Sequence, residues 1–416
     1  MPSGASRPVG ARGGRAALDL LRREPDFRRT YLATLVSLGG DWFAVVPLLV
    51  LLPRLTGGGL AGALVLAADT AVFALLSPYA GTMVDRVDRR RLLVAADLAS
   101  AGCAVLLLAV DSAGTAWIAV VGIGGVAGAK AFAQPAAQAA LPNLVDSADL
   151  RLANVLTGTA WGSMLAVGAA LGGLGAAVLG ERACFLVDAA SFLVSAALIY
   201  RCRRPFQRER TASAGRTGVG EAVRYVKGEP RVLALLAVKP GVAFANGALV
   251  LFPLLTADVF GVGGIGVGLL FAARGLGALL GPLLLGPRVR DDTHLHRVLA
   301  LSIAACGLAY VCVALAPAFW LVLVLVTLGH IGGGANWVAS TYGLQAVVPD
   351  AVLGRVASTD FMLVTLVVAA NQVVAGLLSG VVDTRLLTGC FGAASLAYAA
   401  VWWSATARAR PGAVPR

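Results

Sequence analysis

The chain has 416 residues, of which 58% are hydrophobic and only 13% are charged, and its formal net charge is +12. An ordinary soluble domain carries about 25% charged residues, so a soluble fold of this length would lack the polar side chains to cover its surface. The composition therefore excludes a soluble protein and indicates an all-α integral membrane protein in a lipid bilayer. In such a protein the positions of the basic residues matter more than their sum, so we expect no nucleic-acid partner.

The first 26 residues are rich in Arg, Ala and Gly and have neither an apolar core nor a cleavage pattern, so we expect a disordered cytoplasmic tail. Apolar segments of roughly 20 residues follow, each able to cross a bilayer core of about 30 Å. A basic linker, 201–230, separates an N-terminal six-helix bundle (27–200) from a C-terminal one (231–407), and 408–416 is a second cytoplasmic tail. The twelve predicted transmembrane helices are 31–52, 60–80, 92–110, 115–135, 155–178, 183–200, 231–257, 264–285, 297–316, 318–340, 357–381 and 386–407.

Basic residues concentrate on one side of this topology. The two tails, the linker and the other joints on the same side hold 28 of the 34 Lys and Arg residues. The opposite side holds only Arg54, Arg182 and Arg385. The positive-inside rule then places both termini in the cytoplasm. We expect a multi-pass protein of a plasma membrane of the bacterial inner-membrane type.

Two joints resemble each other. "QAALPNLVDSADLRLAN" (138–154) follows the fourth span and "QAVVPDAVLGRVAS" (345–358) follows the tenth. Both contain Gln, an apolar residue before Pro, an acidic residue, and then Leu and Arg before the next span. The same joint at corresponding places suggests a duplicated unit of six helices, and hence two pseudo-symmetric bundles.

Three ionisable residues are predicted near mid-membrane: Asp41, Asp69 and Arg274. A charge at this depth costs about 2.5–3.5 kcal/mol on insertion scales, so each needs a reason. Together they can form a proton or substrate site between the halves, because a buried carboxyl group can bind and release a proton near neutral pH. Asp41 can instead cap a helix break after Gly39-Gly40, and Asp69 can instead bond a neighbouring helix.

Asp97 and Lys130 are each about five residues from the cytoplasmic end of a predicted span, so we expect a buried ion pair between them. Lys130 can alternatively pair with Asp85 in the loop after span 2. Lys239 is close enough to a span end for its long stem to reach the interface. Asp188 lies in the outer half of span 6 and receives no assigned role.

The loop after span 2, "GTMVDRVDRR", has Gly, three residues, Asp-Arg, two residues and Arg-Arg. This pattern resembles the loop signature of the major facilitator superfamily. Four further stretches resemble its branch of drug, macrolide and siderophore exporters: "AFAQPAAQAALPNLVDSADLRLAN" (131–154), "FLVDAASFLVSA" (185–196), "GEAVRYVKGEPRVLALL" (220–236) and "GVGLLFAARGLGALLG" (266–281). The five pattern residues of the loop after span 2 are called the loop signature: Gly81, Asp85, Arg86, Arg89 and Arg90.

The resemblance implies two six-helix bundles that rock about a central site and expose it to each face in turn. It also implies that the loop signature holds the bundles together on the cytoplasmic side in one state. Asp85 can face the positive N-terminal end of span 11, and the arginines can bond carbonyls or carboxylates such as Asp360. Alternatively the arginines only fix the orientation of the chain, which leaves Gly81 and Asp85 unexplained.

Three features depart from the family pattern. The span-5 antiporter motif, which resembles Gly-Pro-x-x-Gly-Gly, keeps Gly168, Gly172 and Gly173 but has Ala169 in place of Pro. Span 4 lacks the usual Arg and has only Lys130. The second-half loop, 286–297, has lost the Asp-Arg pattern. These gaps concern the coupling chemistry more than the fold.

The sequence therefore predicts a proton-coupled exporter of an amphipathic small molecule such as a drug, antibiotic or secondary metabolite. The alternatives are an importer or lipid flippase with different coupling, and a receptor or scaffold that transports nothing. We expect no enzyme activity, cofactor or metal site, because no catalytic or ligand spacing occurs. The expected partners are the bilayer, protons and the cargo, and the chain is expected to be a monomer. Five residues are candidates for lining the cargo cavity: Trp161, Phe244, Asn246, Phe252 and Trp337.

Overall fold

The computed structural model describes residues 9–84, 86–207, 226, 228–285 and 292–406. In this part of the chain twelve helical segments are long and apolar enough to cross a membrane, and no strand occurs. The predicted twelve-helix architecture is thus confirmed. In chain order the spans are Pro25–Thr56, Leu60–Val84, Arg89–Leu106, Ala116–Leu144, Leu150–Leu179, Glu181–Tyr200, Pro230–Val259, Gly263–Leu285, Asp292–Leu315, Phe319–Val347, Asp350–Leu378 and Thr384–Ala405, numbered 1 to 12 below.

Local sequence explains several span ends. Pro25 and Pro230 occupy the first turn of spans 1 and 7, where a missing N–H costs nothing. Asp88 caps span 3, because its carboxylate accepts a hydrogen bond of 2.8 Å from the backbone N–H of Arg91. Asp383 caps span 12 in the same way, through Leu386. Gly57 ends span 1 at a φ of 73°, which favours glycine.

The two halves pack with the same pattern. In the N-terminal half span 1 packs on spans 5 and 6, span 4 on spans 2 and 3, and span 3 on span 6. Adding six to each number gives the main contacts of the C-terminal half. The halves meet through spans 5 and 8 and through spans 2 and 11, and these two contacts are also related by this rule. The pseudo-symmetry predicted from the two similar joints is therefore present.

The side of the bundle on which span 1 begins and span 12 ends is called the termini side. The opposite side is called the far side. Toward the far side the halves touch backbone to backbone. A methyl group added at Gly268 of span 8 would lie 2.6 Å from the carbonyl oxygen of Ala169 in span 5, and one at Gly173 would lie 3.0 Å from Gly264 and from Gly268. Only glycine permits this approach of two transmembrane helices.

The other glycines of the span-5 motif serve the contact with span 1. A methyl group at Gly168 would lie 2.7 Å from the carbonyl oxygen of Gly39, and one at Gly172 would lie 2.7 Å from that of Trp42. The three glycines thus press span 5 against its own half on one face and against span 8 on another. Ala169, which stands where the family pattern has Pro, is fully buried in this contact.

The expectation of a disordered tail over residues 1–26 is wrong for part of that stretch. Val9–Arg23 forms a helix, and Leu20 is fully buried in a cluster with Phe27. Arg23 reaches the joint between spans 4 and 5, where it forms a salt bridge of 3.2 Å with Asp149. The regular spacing of Leu and Arg in "RAALDLLRR" explains the helix, because its apolar face finds a covered position.

The first residues of the predicted linker are held by the N-terminal half. The backbone N–H groups of Arg203 and Arg204 donate to the carboxylate of Asp26 at 3.0 and 2.8 Å. The guanidinium of Arg204 also forms a salt bridge of 2.8 Å with Glu24. Residues 201–207 therefore belong structurally to the first bundle, whereas most of the remaining linker lies outside the described residues.

Span 7 is a broken helix, with a 3₁₀ segment at Asn246–Leu251 and a π-helical turn at Leu255–Val259. Its Lys239 forms an ion pair with Asp360 of span 11, and the two side chains are 4% and 5% exposed. This corrects two expectations. Lys239 does not reach the interface, and Asp360 binds this lysine in place of a loop arginine. The pair joins two spans of the C-terminal half inside the membrane.

Alanine at Gly268 should force spans 5 and 8 apart and populate a state that is open on the far side. Such overpacking costs about 1–3 kcal/mol, which shifts a two-state equilibrium at least about fivefold. The matched control is Gly264→Ala on the same helix, where the new methyl group meets only Val50 at an ordinary 3.4 Å. Spin labels at Ala113 and Pro317, in a background without native cysteines, report the far-side distance. Equal distance distributions in the two variants would contradict the contact.

Removing one partner of the Lys239–Asp360 pair should strand a buried charge. We expect Lys239→Met to lower the unfolding free energy by about 3 kcal/mol, and the double variant Lys239→Met/Asp360→Leu to lose less than the sum of the single variants. Unfolding in detergent measures this cycle. The control is Glu181→Gln, which removes a surface salt bridge to Arg54 (side chains 26% and 62% exposed) and should cost less than about 1 kcal/mol. A Lys239→Met variant as stable as the control would show that the pair stabilises nothing.

Candidate functional site

The N-terminal half contains an ion pair near the middle of the membrane. The ammonium group of Lys130 in span 4 contacts the carboxylate of Asp41 in span 1, and the two side chains are 25% and 11% exposed. The ring of Phe192 in span 6 lies 5.7 Å from the same ammonium group. Neither charge is stable alone in hydrocarbon, so each explains the presence of the other.

The predicted partner of Lys130 was Asp97, and the structure corrects this. Asp97 accepts a hydrogen bond of 2.6 Å from the hydroxyl of Ser195 in span 6. The cause is the length of span 4, which continues through Pro135 to Leu144. At 1.5 Å per residue Lys130 lies about 21 Å from the termini-side end of its helix, against about 12 Å for Asp97. The depth of Lys130 matches that of Asp41 instead.

Asp188 of span 6 is the residue that the sequence left without a role. It is 2% exposed, and its Oδ1 atom has no hydrogen-bond partner. A methyl group at Gly40 would lie 2.9 Å from that oxygen, so the carboxyl group sits against the backbone of span 1 beside Asp41. The glycines preceding Asp41 were the available signal, since they permit such an approach. We call Asp41, Asp97, Asp188 and Lys130 the acid cluster.

Asp69 of span 2 is exposed, but not to lipid. It shares a helix face, within about 40°, with Gly62 and Phe73, which pack against spans 1 and 11. The exposed leucines of this helix, Leu64 and Leu75, lie about 120–140° away. The carboxylate therefore opens into a space inside the bundle.

Two tryptophans line the same space. Trp161 of span 5 is 41% exposed, although its neighbours on the helix, Gly162 and Gly168, pack on spans 8 and 1. Trp337 of span 10 is also 41% exposed and stands beside Gly334, which packs on span 8. Both lie about 15 Å from the termini-side ends of their helices at 1.5 Å per residue. We call the volume between Asp69, Trp161 and Trp337 the central space.

The central space is open toward the termini side and closed toward the far side. On the inner face of span 5, Asn154 and Gly158 are exposed on the termini side of Trp161, whereas Leu165 and Ala169 on its far side are fully buried. The closing contacts include the rings of Trp42 (span 1) and Phe271 (span 8), whose centroids are 5.4 Å apart across the two halves.

Arg274 of span 8 enters the same region from the C-terminal half. Its guanidinium lies 5.5 Å from the ring centroid of Trp161, and its Nε atom has no hydrogen-bond partner. It is close enough to Asp69 for an electrostatic interaction, as Lys130 and Asp41 of the acid cluster also are, but the described residues provide neither Asp69 nor Arg274 with a salt bridge. Of the predicted group, Asp41 is therefore bonded within the acid cluster and Arg274 lies at the central space, and Asp69 is close enough to interact electrostatically with both.

The remaining cavity candidates lie elsewhere in the C-terminal half. Phe252 is fully buried and packs on Phe271, with ring centroids 5.2 Å apart, so the expectation that it lines the cavity is wrong. Phe244 packs on Tyr398 of span 12 at 5.4 Å. Asn246 begins the 3₁₀ segment of span 7, and its Oδ1 atom is buried without a hydrogen-bond partner.

An aromatic chain at the centre was not predicted. Phe73 of span 2 contacts Phe361 of span 11 edge to face at 5.4 Å, across the two halves. Phe361 contacts Trp337 edge to face at 5.9 Å, and Lys239 lies 4.6 Å from the ring of Trp337. Single phenylalanines in apolar runs carry no signal in a sequence, so only the fold brings these rings together.

The loop signature makes its described contacts within its own half. Arg89 donates a hydrogen bond of 2.9 Å to the carbonyl of Ala139 in span 4, and the guanidinium of Arg90 lies 5.4 Å from the ring centroid of Tyr200 in span 6. Gly81 is in the last turn of span 2, and Asp85 lies outside the described residues. The contact of the loop with span 11 therefore stays a prediction. Among the described residues no group of His, Cys, Asp and Glu is arranged to hold a metal ion.

Several solved transporter structures share this fold. A bacterial homologue of the human lysosomal transporter Spinster, in an inward-facing and unoccupied conformation, is 16% identical with a TM-score of 0.71, over 94% of this chain and all of that one. A POT family transporter in complex with 5-aminolevulinic acid is 10% identical with a TM-score of 0.74, over 91% of this chain and 95% of that one. An auto-inhibited POT family peptide transporter is 14% identical with a TM-score of 0.70, over 95% and 99% of the two chains.

At these identities the likeness shows the fold alone. No curated protein matches the sequence significantly. The family model of transmembrane secretion effectors, MFS_3, matches residues 18–409 and so covers nearly the whole chain. Family and fold are both those of transporters. The chain belongs to the MFS_3 family of transmembrane secretion effectors and is a multi-pass membrane transporter of the major facilitator type.

Proposed function

We propose that this transporter exports an amphipathic small molecule in exchange for protons by alternating access. The observation that carries the proposal is the acid cluster, which stands inside the membrane beside a central space open to one side only. A transporter that couples two movements needs an ion site and a cargo site close together at the interface of its moving halves. The acid cluster supplies the first and the central space the second.

The proposed orientation places the termini side in the cytoplasm of a cell with a bacterial inner-membrane type of plasma membrane. The concentration of Lys and Arg on that side supports this orientation. The open side of the central space is then cytoplasmic, so the conformation described here is ready to receive cargo from inside the cell. Closure on that side and opening on the far side would deliver the cargo outside.

Proton coupling is assigned to the acid cluster. In the present arrangement Lys130 is held by Asp41, while the carboxyl group of Asp188 lies beside them without a partner for its Oδ1 atom. A proton that binds Asp41 removes the charge that holds Lys130, and the ammonium group then turns to another carboxylate of the cluster. Span 4 would thereby exchange a bond to span 1 for a bond to span 6, which links protonation to a change in helix packing.

The rocking motion would break contacts that exist only in the far-side-closed state and form contacts that exist only in the termini-side-closed state. Far-side opening separates the glycine faces of spans 5 and 8 and the Trp42–Phe271 contact. Termini-side closure would bring the loop signature toward the start of span 11, where Asp85 can face a helix N-terminus. Arg89 and Arg90 fix the loop to spans 4 and 6, so they hold it as part of a rigid half.

An importer or a lipid flippase is the second candidate, because Ala169 replaces the Pro of the antiporter motif. The accumulation measurement below separates the two, since an importer raises the amount of compound in cells and an exporter lowers it. A flippase changes neither, but it moves fluorescent phospholipid analogues across vesicle membranes.

Asp41→Asn should abolish proton-driven export, because it removes the proton acceptor that holds Lys130. We expect wild-type protein in an efflux-deficient bacterial host to lower the accumulation of at least one compound in a panel of ethidium and amphipathic antibiotics, and a protonophore to reverse this. At equal expression, Asp41→Asn should lose at least about 90% of the protonophore-sensitive reduction in compound accumulation. The exposed Asp146→Asn is the control and should behave as wild type.

Two results would contradict this proposal. If no compound in a broad panel accumulates less, export is wrong. If Asp41→Asn keeps full protonophore-sensitive transport of the identified compound, Asp41 is not the coupling residue and the acid cluster loses its proposed role.

Cross-linking between the loop and span 11 should depend on the transport state. Cysteines at Met83 and Ala357, both exposed, lie next to the loop signature and in the first turns of span 11 without replacing a signature residue. We expect their cross-linking rate to rise about fivefold when Gly268→Ala favours the far-side-open state. Cysteines at Arg23 and Asp149, which form an exposed salt bridge within the N-terminal half, should cross-link at an unchanged rate. State-independent cross-linking of the first pair would argue for a static anchor.

A further inference from the structure

The charges inside the membrane fall into two classes. Lys130 is paired with Asp41, and Lys239 is paired with Asp360. Asp97 accepts a hydrogen bond from Ser195, and Asp188 is 2% exposed among the helices of the N-terminal half. These groups are bonded or enclosed within one half of the molecule, so a cargo could bind them only by breaking an existing bond or by opening the helix packing. Such groups suit structural or coupling roles.

Asp69 and Arg274 form the other class. Asp69 is exposed to the central space and has no hydrogen bond or salt bridge to any described residue. Arg274 is only partly buried, rests on Trp161 and has an unpartnered Nε atom. Lys130 is close enough to Asp69 for an electrostatic interaction but forms its salt bridge with Asp41. A charge without a direct partner is costly at this depth, so each of the two groups points to a partner that the chain does not bond to it. The two charges are opposite in sign.

Their placement decides between mutual pairing and a ligand between them. Asp69 belongs to span 2 in the N-terminal half, and Arg274 belongs to span 8 in the C-terminal half. They are close enough to interact electrostatically, yet they form no salt bridge. An exposed carboxylate and a partly exposed guanidinium that reach the same open space match a ligand that carries both charges.

Aromatic rings flank this space on both sides. Trp161 lies under the guanidinium of Arg274 and keeps part of its surface exposed. Phe73 stands one helical turn from Asp69 and begins the chain of rings that leads through Phe361 to Trp337. Apolar and aromatic surface next to a pair of opposite charges suits a cargo with an apolar body and a charged head group.

We propose that the central space binds a zwitterionic amphipathic molecule, whose cationic group pairs with Asp69, whose anionic group pairs with Arg274, and whose apolar body lies against Trp161 and the Phe73–Phe361–Trp337 rings. The inference rests on the proposed transport function, because it names the cargo class of that function. It assigns no cargo contact to the acid cluster.

This arrangement has a mechanical consequence. A zwitterion held by Asp69 and Arg274 joins the two halves, because each charge comes from a different half. Bound cargo would therefore favour the states in which spans 2 and 8 are close, and a molecule with only one of the charges would engage only one half. The same two charge interactions would then select the cargo and stabilise the conformation in which spans 2 and 8 are close.

The test uses four congeners of one small aromatic body: 2-naphthylalanine, its methyl ester, its N-acetyl derivative and its N-acetyl methyl ester. They are zwitterionic, cationic, anionic and neutral, respectively. Binding to the full chain in lipid nanodiscs is measured by calorimetry. We expect the zwitterion to bind about tenfold more tightly than either singly charged congener, which corresponds to about 1.4 kcal/mol, and the neutral one to bind most weakly.

Two variants separate the charges. Asp69→Asn should abolish the advantage of the zwitterion over the anionic congener, and Arg274→Gln should abolish its advantage over the cationic one. Arg274→Lys keeps the charge and should retain a reduced preference, since lysine lacks the planar stacking group. Asp146→Asn is the control and should leave the order of affinities unchanged. Thermal unfolding of each variant shows that it is folded.

Each possible result of these measurements either supports or overturns the proposed cargo class. The expected order in wild type with opposite losses in the two variants supports the proposal. A neutral congener that binds as tightly as the zwitterion, or an order that neither variant changes, overturns it. If that happens while Asp41→Asn still abolishes proton-driven export, only the cargo class is wrong. If no compound in the accumulation measurement is exported, the proposed function is wrong, whatever the congeners show.

Discussion

The cost of a charge in hydrocarbon governs this structure more than any other constraint. The described spans contain few ionisable groups near their centres, and most of them occur in pairs or hydrogen-bond a neighbouring span. Because the chain cannot leave such a group facing lipid, each one fixes which helix faces turn inward. Lys130 thus ties span 4 to span 1, and Lys239 ties span 7 to span 11. The polar interior follows from this requirement. Aromatic and glycine residues form the other helix contacts inside the bundle.

Ion pairs and glycine contacts are distributed differently between the halves and their interface. The ion pairs of the described residues lie within one half, whereas close glycine contacts occur both within the halves and between them, as at Gly173 and Gly268. The contact of spans 2 and 11 repeats the close approach at Gly376, and there a hydrogen bond of 3.2 Å from Thr70 to Gln372 also joins the halves. In the proposed alternating-access motion, rocking would therefore break glycine packing, ring contacts and few directional bonds.

The sequence predicted the parts of the molecule that depend on composition and local pattern. Apolar length determines the twelve spans, and the repeated joints reveal the two related halves. The partner of Lys130 was missed because Pro135 was taken as the end of span 4, although a proline inside a packed transmembrane helix is tolerated. Phe252 was misplaced because hydropathy cannot tell a core phenylalanine from one at a cavity. The position of Asp188 beside span 1 could not be predicted, because it depends on the close packing of Gly40 against span 6, which only the fold shows.

Exposure within the membrane sorts the remaining charges by role. Asp41 and Asp188 are nearly closed to solvent and face the helices of their own half, so in the proposed mechanism a change in their charge would act on helix packing. Asp69 is exposed, Arg274 is partly exposed and the two belong to different halves, so we propose that they bind a molecule that enters between the halves. A single set of residues with both tasks would let any charged molecule displace the coupling ion. In the proposed mechanism, cargo bound at Asp69 and Arg274 and a proton bound in the acid cluster would occupy different atoms. They would influence each other through helix positions and through the electrostatic interaction of Asp69 with Lys130.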